Sequence, residues 1–248
     1  MPSLPRGSAA GATGGRWRRL LIPAVTTALM LALACGLGAW QLHRLAWKTA
    51  LLADIDRAEA APASKLPAIP PAFAKVRVAG KWLAGHYALY GADVVDTPGG
   101  PRMGARLIMA LQPDGADPPV LVDRGWVPIE RVDQIVTPGG IVAVDGYVRQ
   151  PDRAGLFAAS DDPAQHRFFT LDPAMIGPSL GLARVAPFVL VALGPTVAGA
   201  SGTGVYPDPA RALPRPPNDH LSYAITWFAL ALTLGIIFLS HCRKVLRA

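Results

Sequence analysis

A membrane protein with two transmembrane α-helices flanking one extracytoplasmic, mostly antiparallel β (α+β) domain is the fold class that this 248-residue sequence predicts. Three observations point to it. Uncharged apolar runs stand near both ends, at residues 20–42 and at residues 221–239, with His220 at the threshold of the second. The stretch between them changes to short alternating segments broken by Pro and Gly. The net charge of +7 sits wholly in the two tails, on Arg6, Arg16, Arg18 and Arg19 at one end and Arg243, Lys244 and Arg247 at the other. All 17 acidic residues lie between the runs, matched by as many basic ones.

Residues 1–19 read as a disordered cytoplasmic tail, small and Gly/Ala/Pro-rich at the start and carrying no acid. Residues 20–42 read as the first transmembrane helix. As a helix the run extends ~34 Å at ~1.5 Å per residue, enough to cross a hydrocarbon core of about 30 Å. Arg16, Arg18 and Arg19 ahead of it also fit a signal peptide, and Ala32-Leu33-Ala34-Cys35 resembles a poor lipoprotein cleavage box. The apolar stretch continues past Cys35 to Leu42, which favours an uncleaved anchor.

Residues 43–219 read as the extracytoplasmic β-rich domain with its linker. Residues 43–60 keep a helical beat, with Leu45, Leu51, Leu52 and Ile55 on one side and Lys48, Asp54, Asp56 and Arg57 between them. Pro62, Pro67, Pro70 and Pro71 end that helix. About seven short strands follow, at residues 76–78, 86–90, 106–111, 120–126, 142–148, 166–171 and 187–193. Residues 151–163 and 172–187 are irregular or helical inserts. Residues 194–217, rich in Gly, Pro, Ser and Ala, form a loose return linker. Residues 220–239 are the second transmembrane helix, and residues 240–248 a cytoplasmic basic tail.

Basic tails favour the cytoplasmic side of a membrane, so both termini face inward and the neutral middle faces out. A nucleic-acid binder carries its charge on the folded domain, so that class is excluded. Cys35 falls inside the first run and Cys242 just beyond the second, separated by much of the membrane, so they cannot pair. The chain has no phosphate-cradling loop, no Gly-x-Ser-x-Gly elbow and no zinc-spaced Cys/His cluster. Nothing in it supports an enzyme.

Several residues carry chemistry at the predicted membrane boundary. His220 begins the second run, with Tyr223 and Trp227 on the same helical face at i+3 and i+7. One reading is an interfacial polar residue in an aromatic belt. The other is an axial ligand to a haem iron, with the ring solvated in a groove between the two apolar helices. Asn218 and Asp219 fit a helix cap, and Asp219 also fits a carboxylate orienting the imidazole. His43 falls at the same depth as His220, which leaves open both a two-histidine metal site and plain snorkelling. His241 is too far along the helix to join them, and His86 and His166 have no metal-spaced neighbour. Trp40, Gln41, Arg44, Trp47 and Lys48 straddle the end of the first run. They read as anchoring, or as a cation offered to an acidic group such as a haem propionate or a lipid phosphate. In the outer domain, Gly125 allows a bulge or a close backbone approach, Trp126 is a core residue, and Arg124 is an ion-pair partner for Asp123 or another acid.

These pieces in this order resemble the surfeit locus protein one family, biogenesis factors of cytochrome c oxidase. The resemblance rests on Leu37-Gly38-Ala39-Trp40-Gln41 with Arg44, Trp47 and Lys48; on Val78-Ala79-Gly80-Lys81-Trp82; on Val120-Leu121-Val122-Asp123-Arg124-Gly125-Trp126-Val127-Pro128; on Gly146-Tyr147-Val148-Arg149; and on Asn218-Asp219-His220-Leu221-Ser222-Tyr223-Ala224-Ile225-Thr226-Trp227-Phe228. It implies a non-enzymatic assembly factor that binds haem a transiently for delivery to cytochrome c oxidase subunit I. It also implies haem a synthesis enzymes as partners. The alternative is a scaffold that holds oxidase subunits or other assembly factors and touches no haem. Carried onto this sequence, the resemblance makes His220 the haem contact, Tyr223 and Trp227 its neighbours, and Trp40, Gln41, Arg44 and Lys48 the first-span motif. The family's Asn-Asn-His reads Asn218-Asp219-His220 here. His43 has no counterpart and remains a candidate on spacing alone. The expected location is a bacterial inner (plasma) membrane, multi-pass, among membrane lipids, with the central domain periplasmic.

Overall fold

A computed structural model describes residues 12–97, 99–115, 118–153, 155, 159–194 and 206–247. The chain divides into two compact units, Met1–Ala53 with Pro216–Ala248, and Asp54–Arg215.

The first unit is a pair of helices. Helix α1 spans Ala12–Ala60 and α3 spans His220–Arg247. Within them, Leu20–Ala60 and His220–Arg247 are long and apolar enough to cross a membrane. Most of that apolar surface is uncovered by protein: Leu21, Ile22, Leu29 and Leu33 on α1, and Leu232, Ile236 and Ile237 on α3, are all exposed. The tail expected to be disordered is helical from Ala12, and residues 1–11 lie outside the described residues. Arg16-Trp17-Arg18-Arg19 breaks no helix, so the ladder nucleated by the apolar run extends back through it.

The two helices meet along a seam with a seven-residue beat. Leu20, Thr27, Leu31, Ala34, Gly38, Gln41, Leu45 and Lys48 are among the buried or half-buried positions of α1 and follow this beat. On α3, His220, Ala224, Trp227, Ala231, Leu234 and Phe238 do the same. Alternating steps of three and four residues keep one stripe facing its partner, the geometry of shallow-angle helix packing. Small residues let the backbones approach: a Cβ on Gly38 would lie 2.7 Å from the ring of Phe228.

The second unit is a barrel. Its strands are β1 (Ser64–Lys65), β2 (Lys75–Thr97), β3 (Gly100–Pro113), β4 (Val120–Pro128), β5 (Ile141–Arg149), β6 (Arg167–Phe168) and β7 (Val189–Ala192), with a short helix α2 (Pro173–Ser179) before β7. The hydrogen-bonded order β2-β3-β4-β7-β5 closes on itself because the first part of β2 also pairs β5. Alternation sets the two faces. Val76, Val78, Leu111, Val120, Val122, Val148 and Leu190 form one buried cluster inside the ring. Ile108, Ala110 and Leu121 point the other way and pack under Phe168, Leu171, Ile176 and Leu180. The insert carrying α2 therefore covers one outer face.

The sheet is mostly antiparallel, as expected, but two other expectations need correction. Short parallel pairings also occur: β1 and β6 run parallel to β2, and β4 parallel to β7. A closed ring of five strands cannot alternate direction throughout, and β4–β7 is its parallel pair. The segments at 76–78 and 86–90 are one long strand, β2, whose register against β3 slips between Trp82 and Tyr87 and again between Tyr90 and Asp93. Within the described part of the return linker, residues 206–217, the chain is held against the barrel: Asp208 pairs backbone to backbone with Trp126, at 2.8 Å in both directions, and Leu213 is buried. Residues 195–205 lie outside the described residues.

Candidate functional site

The chemistry expected at the ends of the apolar runs gathers in the helical unit. His220, first residue of α3, is half-buried on the seam. Its Nδ1 lies 2.7 Å from Oε1 of Gln41, and Gln41 is the one buried polar side chain among the described residues of α1 and α3. An amide oxygen only accepts, so His220 Nδ1–H is the donor. In a neutral ring the lone pair is then on Nε2. The orienting group is Gln41, not the neighbouring Asp219 that the sequence offered. Asp219 instead contributes its backbone carbonyl, accepting from Ser222 Oγ at 2.7 Å and from Tyr223 N–H at 3.4 Å. Asn218 turns to α1, where its Nδ2 donates to Thr49 Oγ1 at 3.4 Å.

Helical geometry sorts the remaining candidates by flank. At ~100° per residue, Arg44, Trp40 and Trp47 lie about 60–120° to one side of Gln41 around α1, and Tyr223 lies about 60° to the same side of His220 around α3. In an antiparallel pair these senses coincide, so one flank carries Trp40, Arg44, Trp47 and Tyr223, all exposed. Trp227 and Lys48 sit half-buried at the seam edge. The Arg44 guanidinium stands 4.2 Å over the ring of Trp47, a cation held on an aromatic face. The opposite flank is shut by the Gly38–Phe228 contact. The helices thus pack against each other instead of leaving a groove between them, and the aromatic surface is open on one side. His43 is exposed and about 200° round α1 from Gln41, so the structure does not bring it to His220.

In the barrel, Arg124 does not pair with Asp123. Asp123 is fully buried, ion-paired to Arg106, and accepts the Gly125 N–H at 3.0 Å. Burial pushes its carboxyl up, against the opposing pull of Arg106. Arg124 instead stacks 5.0 Å over the ring of Trp82 and donates to Met109 Sδ at 3.0 Å. Burial alone lowers the pKa of its guanidinium. Nearby, Tyr90 donates its hydroxyl to Asp152 at 2.9 Å and accepts from Arg149 at 2.9 Å. Arg106 and Arg149 face Asp123 and Asp152, so this cluster is charge-balanced. A pocket of 290 Å³ lined by Leu66, Pro118, Val120 and Phe188 carries no titratable side chain. Among the described residues no group of three or more His, Cys, Asp or Glu is placed to hold a metal ion.

Sequence reasoning singled out Gln41 only as part of a motif. Its partner lies 179 residues away, and the one local clue was a lone amide inside an uncharged run.

Comparison with known proteins covers both units. A SURF1-like protein of Drosophila melanogaster is 28% identical over 243 residues, spanning 90% of this chain and 75% of its own. A SURF1-like protein of Rickettsia prowazekii is 27% identical over 232 residues, spanning 88% and 87%. Surfeit locus protein 1 of Mus musculus is 26% identical over 245 residues, spanning 90% and 74%. The sequence model of the SURF1 family matches residues 28–232, from the first apolar helix to the second, and the chain belongs to that family.

Proposed function

We propose that this protein is a non-enzymatic assembly factor, anchored in a membrane by both helices, that holds haem a through His220 before delivery to cytochrome c oxidase subunit I. Membership of the SURF1 family implies a role in cytochrome c oxidase assembly in general. The observation that carries the finer reading is the 2.7 Å bond from His220 Nδ1–H to Gln41. With the proton on Nδ1, a neutral imidazole has its lone pair on Nε2, the donor that haem iron takes as a ligand.

The residues present fit such a group. Trp40, Tyr223 and Trp227 offer aromatic surface to a flat apolar ring. Arg44, and Lys48 at the seam edge, supply cations for propionates. Bound haem would supply an iron for His220 to hold, and an open flank suits a cargo that must leave again. The barrel would dock on the oxidase or on the haem a synthesis enzymes, while membrane lipids cover the remaining apolar helix surface. The same flank also supports a scaffold reading, because exposed Trp40 and Tyr223 offer a packing surface to an oxidase helix.

The deciding measurement is the Soret absorbance of the full chain, purified after co-expression with haem a synthesis enzymes. His220→Ala is expected to remove the band while leaving β-sheet circular dichroism unchanged, and His43→Ala to have little effect. Unchanged haem loading in His220→Ala ends the ligand assignment. A loss in His43→Ala as large as in His220→Ala restores the two-histidine site. A wild type that is colourless yet co-purifies with oxidase subunits selects the scaffold.

A further inference from the structure

We infer that Gln41 is the positioning residue of this site: it fixes the His220 tautomer and holds the imidazole at a donor strength that permits release. This rests on the haem reading above, and adds to it the means by which binding is kept reversible.

The inference starts from burial. A primary amide inside an apolar helix seam has a desolvation cost that only a hydrogen bond offsets. Gln41 is 9% exposed, and the bond its Oε1 makes is to His220 Nδ1. An alanine or leucine there would pack against the small residues of the seam at no such cost, so the amide is retained against packing preference. Its effect on the imidazole is definite. An oxygen acceptor at Nδ1 holds a proton there, so the neutral ring has its lone pair on Nε2. Were the amide nitrogen to face the ring instead, Nδ1 would be the acceptor, Nε2 would carry the proton, and no metal could bind at it.

The choice of acceptor sets the strength. A carboxylate behind a ligating histidine draws the Nδ1 proton toward itself and raises the basicity of the other nitrogen. Asp219, adjacent in sequence and ionisable, is not in that place, because its recorded bonds run through the backbone carbonyl. A neutral amide fixes orientation while transferring far less charge. The site therefore has the geometry of a dedicated axial ligand with a weaker push, matching a protein that must give its cargo up. Gln41 also belongs to α1 and His220 to α3, so the bond forms only when the two helices are in register.

Two readouts test this on the detergent-solubilised full chain, with Gln41→Met, which keeps length without the oxygen, and Gln41→Glu, which keeps the oxygen and adds charge. The first is ¹⁵N chemical shifts of histidine-labelled, haem-free protein. The wild type is expected to show His220 as the Nδ1–H tautomer, and Gln41→Met to show a mixture. The second is the rate at which ferrous haem b, bound as a probe, passes to apomyoglobin. Gln41→Met is expected to bind roughly 10–100-fold more weakly and release faster, and Gln41→Glu to release more slowly than wild type. An Nε2–H tautomer in the wild type, or a tautomer and transfer rate unmoved by both substitutions, overturns the proposal. If the wild type takes up no haem while Gln41→Met still scrambles the tautomer, the positioning role is upheld and the haem reading is the part that falls.

Discussion

Gly125 shows how a single position can be fixed by its surroundings. It sits in β4 with φ +126°, and a Cβ there would lie 2.1 Å from the Asp208 carbonyl oxygen. The strand bulges at this point, where the β3–β4 register shifts between Arg106 and Ile108. The bulge brings the Gly125 N–H to Asp123 and frees a place for the return segment against Trp126. Any side chain must both adopt a conformation reserved for glycine and displace backbone. Gly125→Ala is expected to cost about 2–4 kcal/mol of stability, read from thermal loss of the β-sheet circular dichroism in detergent. A change within about 0.5 kcal/mol, the usual range of an innocuous surface substitution, would refute the close approach. The sequence made the glycine legible as a bulge or contact point. It could not show that the contact comes from a segment some eighty residues later, whose composition reads as slack linker.

At the level of elements, the helix pair depends on close approach along its seam. Gly36 and Gly38 differ by two residues, yet a Cβ on Gly36 meets nothing within 4 Å while one on Gly38 meets the Phe228 ring. Gly38→Val should therefore lower the melting temperature of the helical signal and weaken the His220–Gln41 bond, whereas Gly36→Val should leave both nearly unchanged. Equal effects of the two would refute the seam register. In the barrel, β2 and β5 are tied by Arg77, which donates to both carboxylate oxygens of its cross-strand partner Asp145 at 2.6 Å. Hydrogen bonds from Arg77 hold the Asp145 carboxyl below its usual range. A depressed folded-state value means that the pair stabilises above the unfolded-state pKa and ceases to do so as pH falls through the folded one. Asp145→Asn should thus melt slightly lower than wild type near neutral pH, and the gap should close well below about pH 4. A gap that widens with acidification would reverse the assignment. Both ends of this pair are largely exposed, so the effect is small.

For the whole molecule, the testable claim is topology. Basic residues cluster at both termini and the middle is neutral, so a two-span chain is expected to place residues 43–219 outside. Alkaline phosphatase fused within that segment should be active and protease-accessible from the periplasmic side, and fusions at residue 248 inactive. An active terminal fusion would overturn this orientation and put His220 at the opposite face of the membrane.

The sequence by itself determined the class of the protein, because hydropathy and alternation are local. A long uncharged run forms a helix whatever it meets, and an alternating one forms a strand. The same locality made visible the residues carrying chemistry at the ends of the apolar runs, and their motifs placed the chain in its family. Tertiary structure alone decided which of those residues touch. Barrel closure joins β2 to β5 across more than forty residues, and β4 meets β7 across the segment that carries α2. Arg106 rather than Arg124 meets Asp123, and Gln41 rather than Asp219 or His43 meets His220. Each pairing is a competition among chemically similar neighbours, settled by helix phase and strand register, and those are fixed only when the distant partner has folded against them.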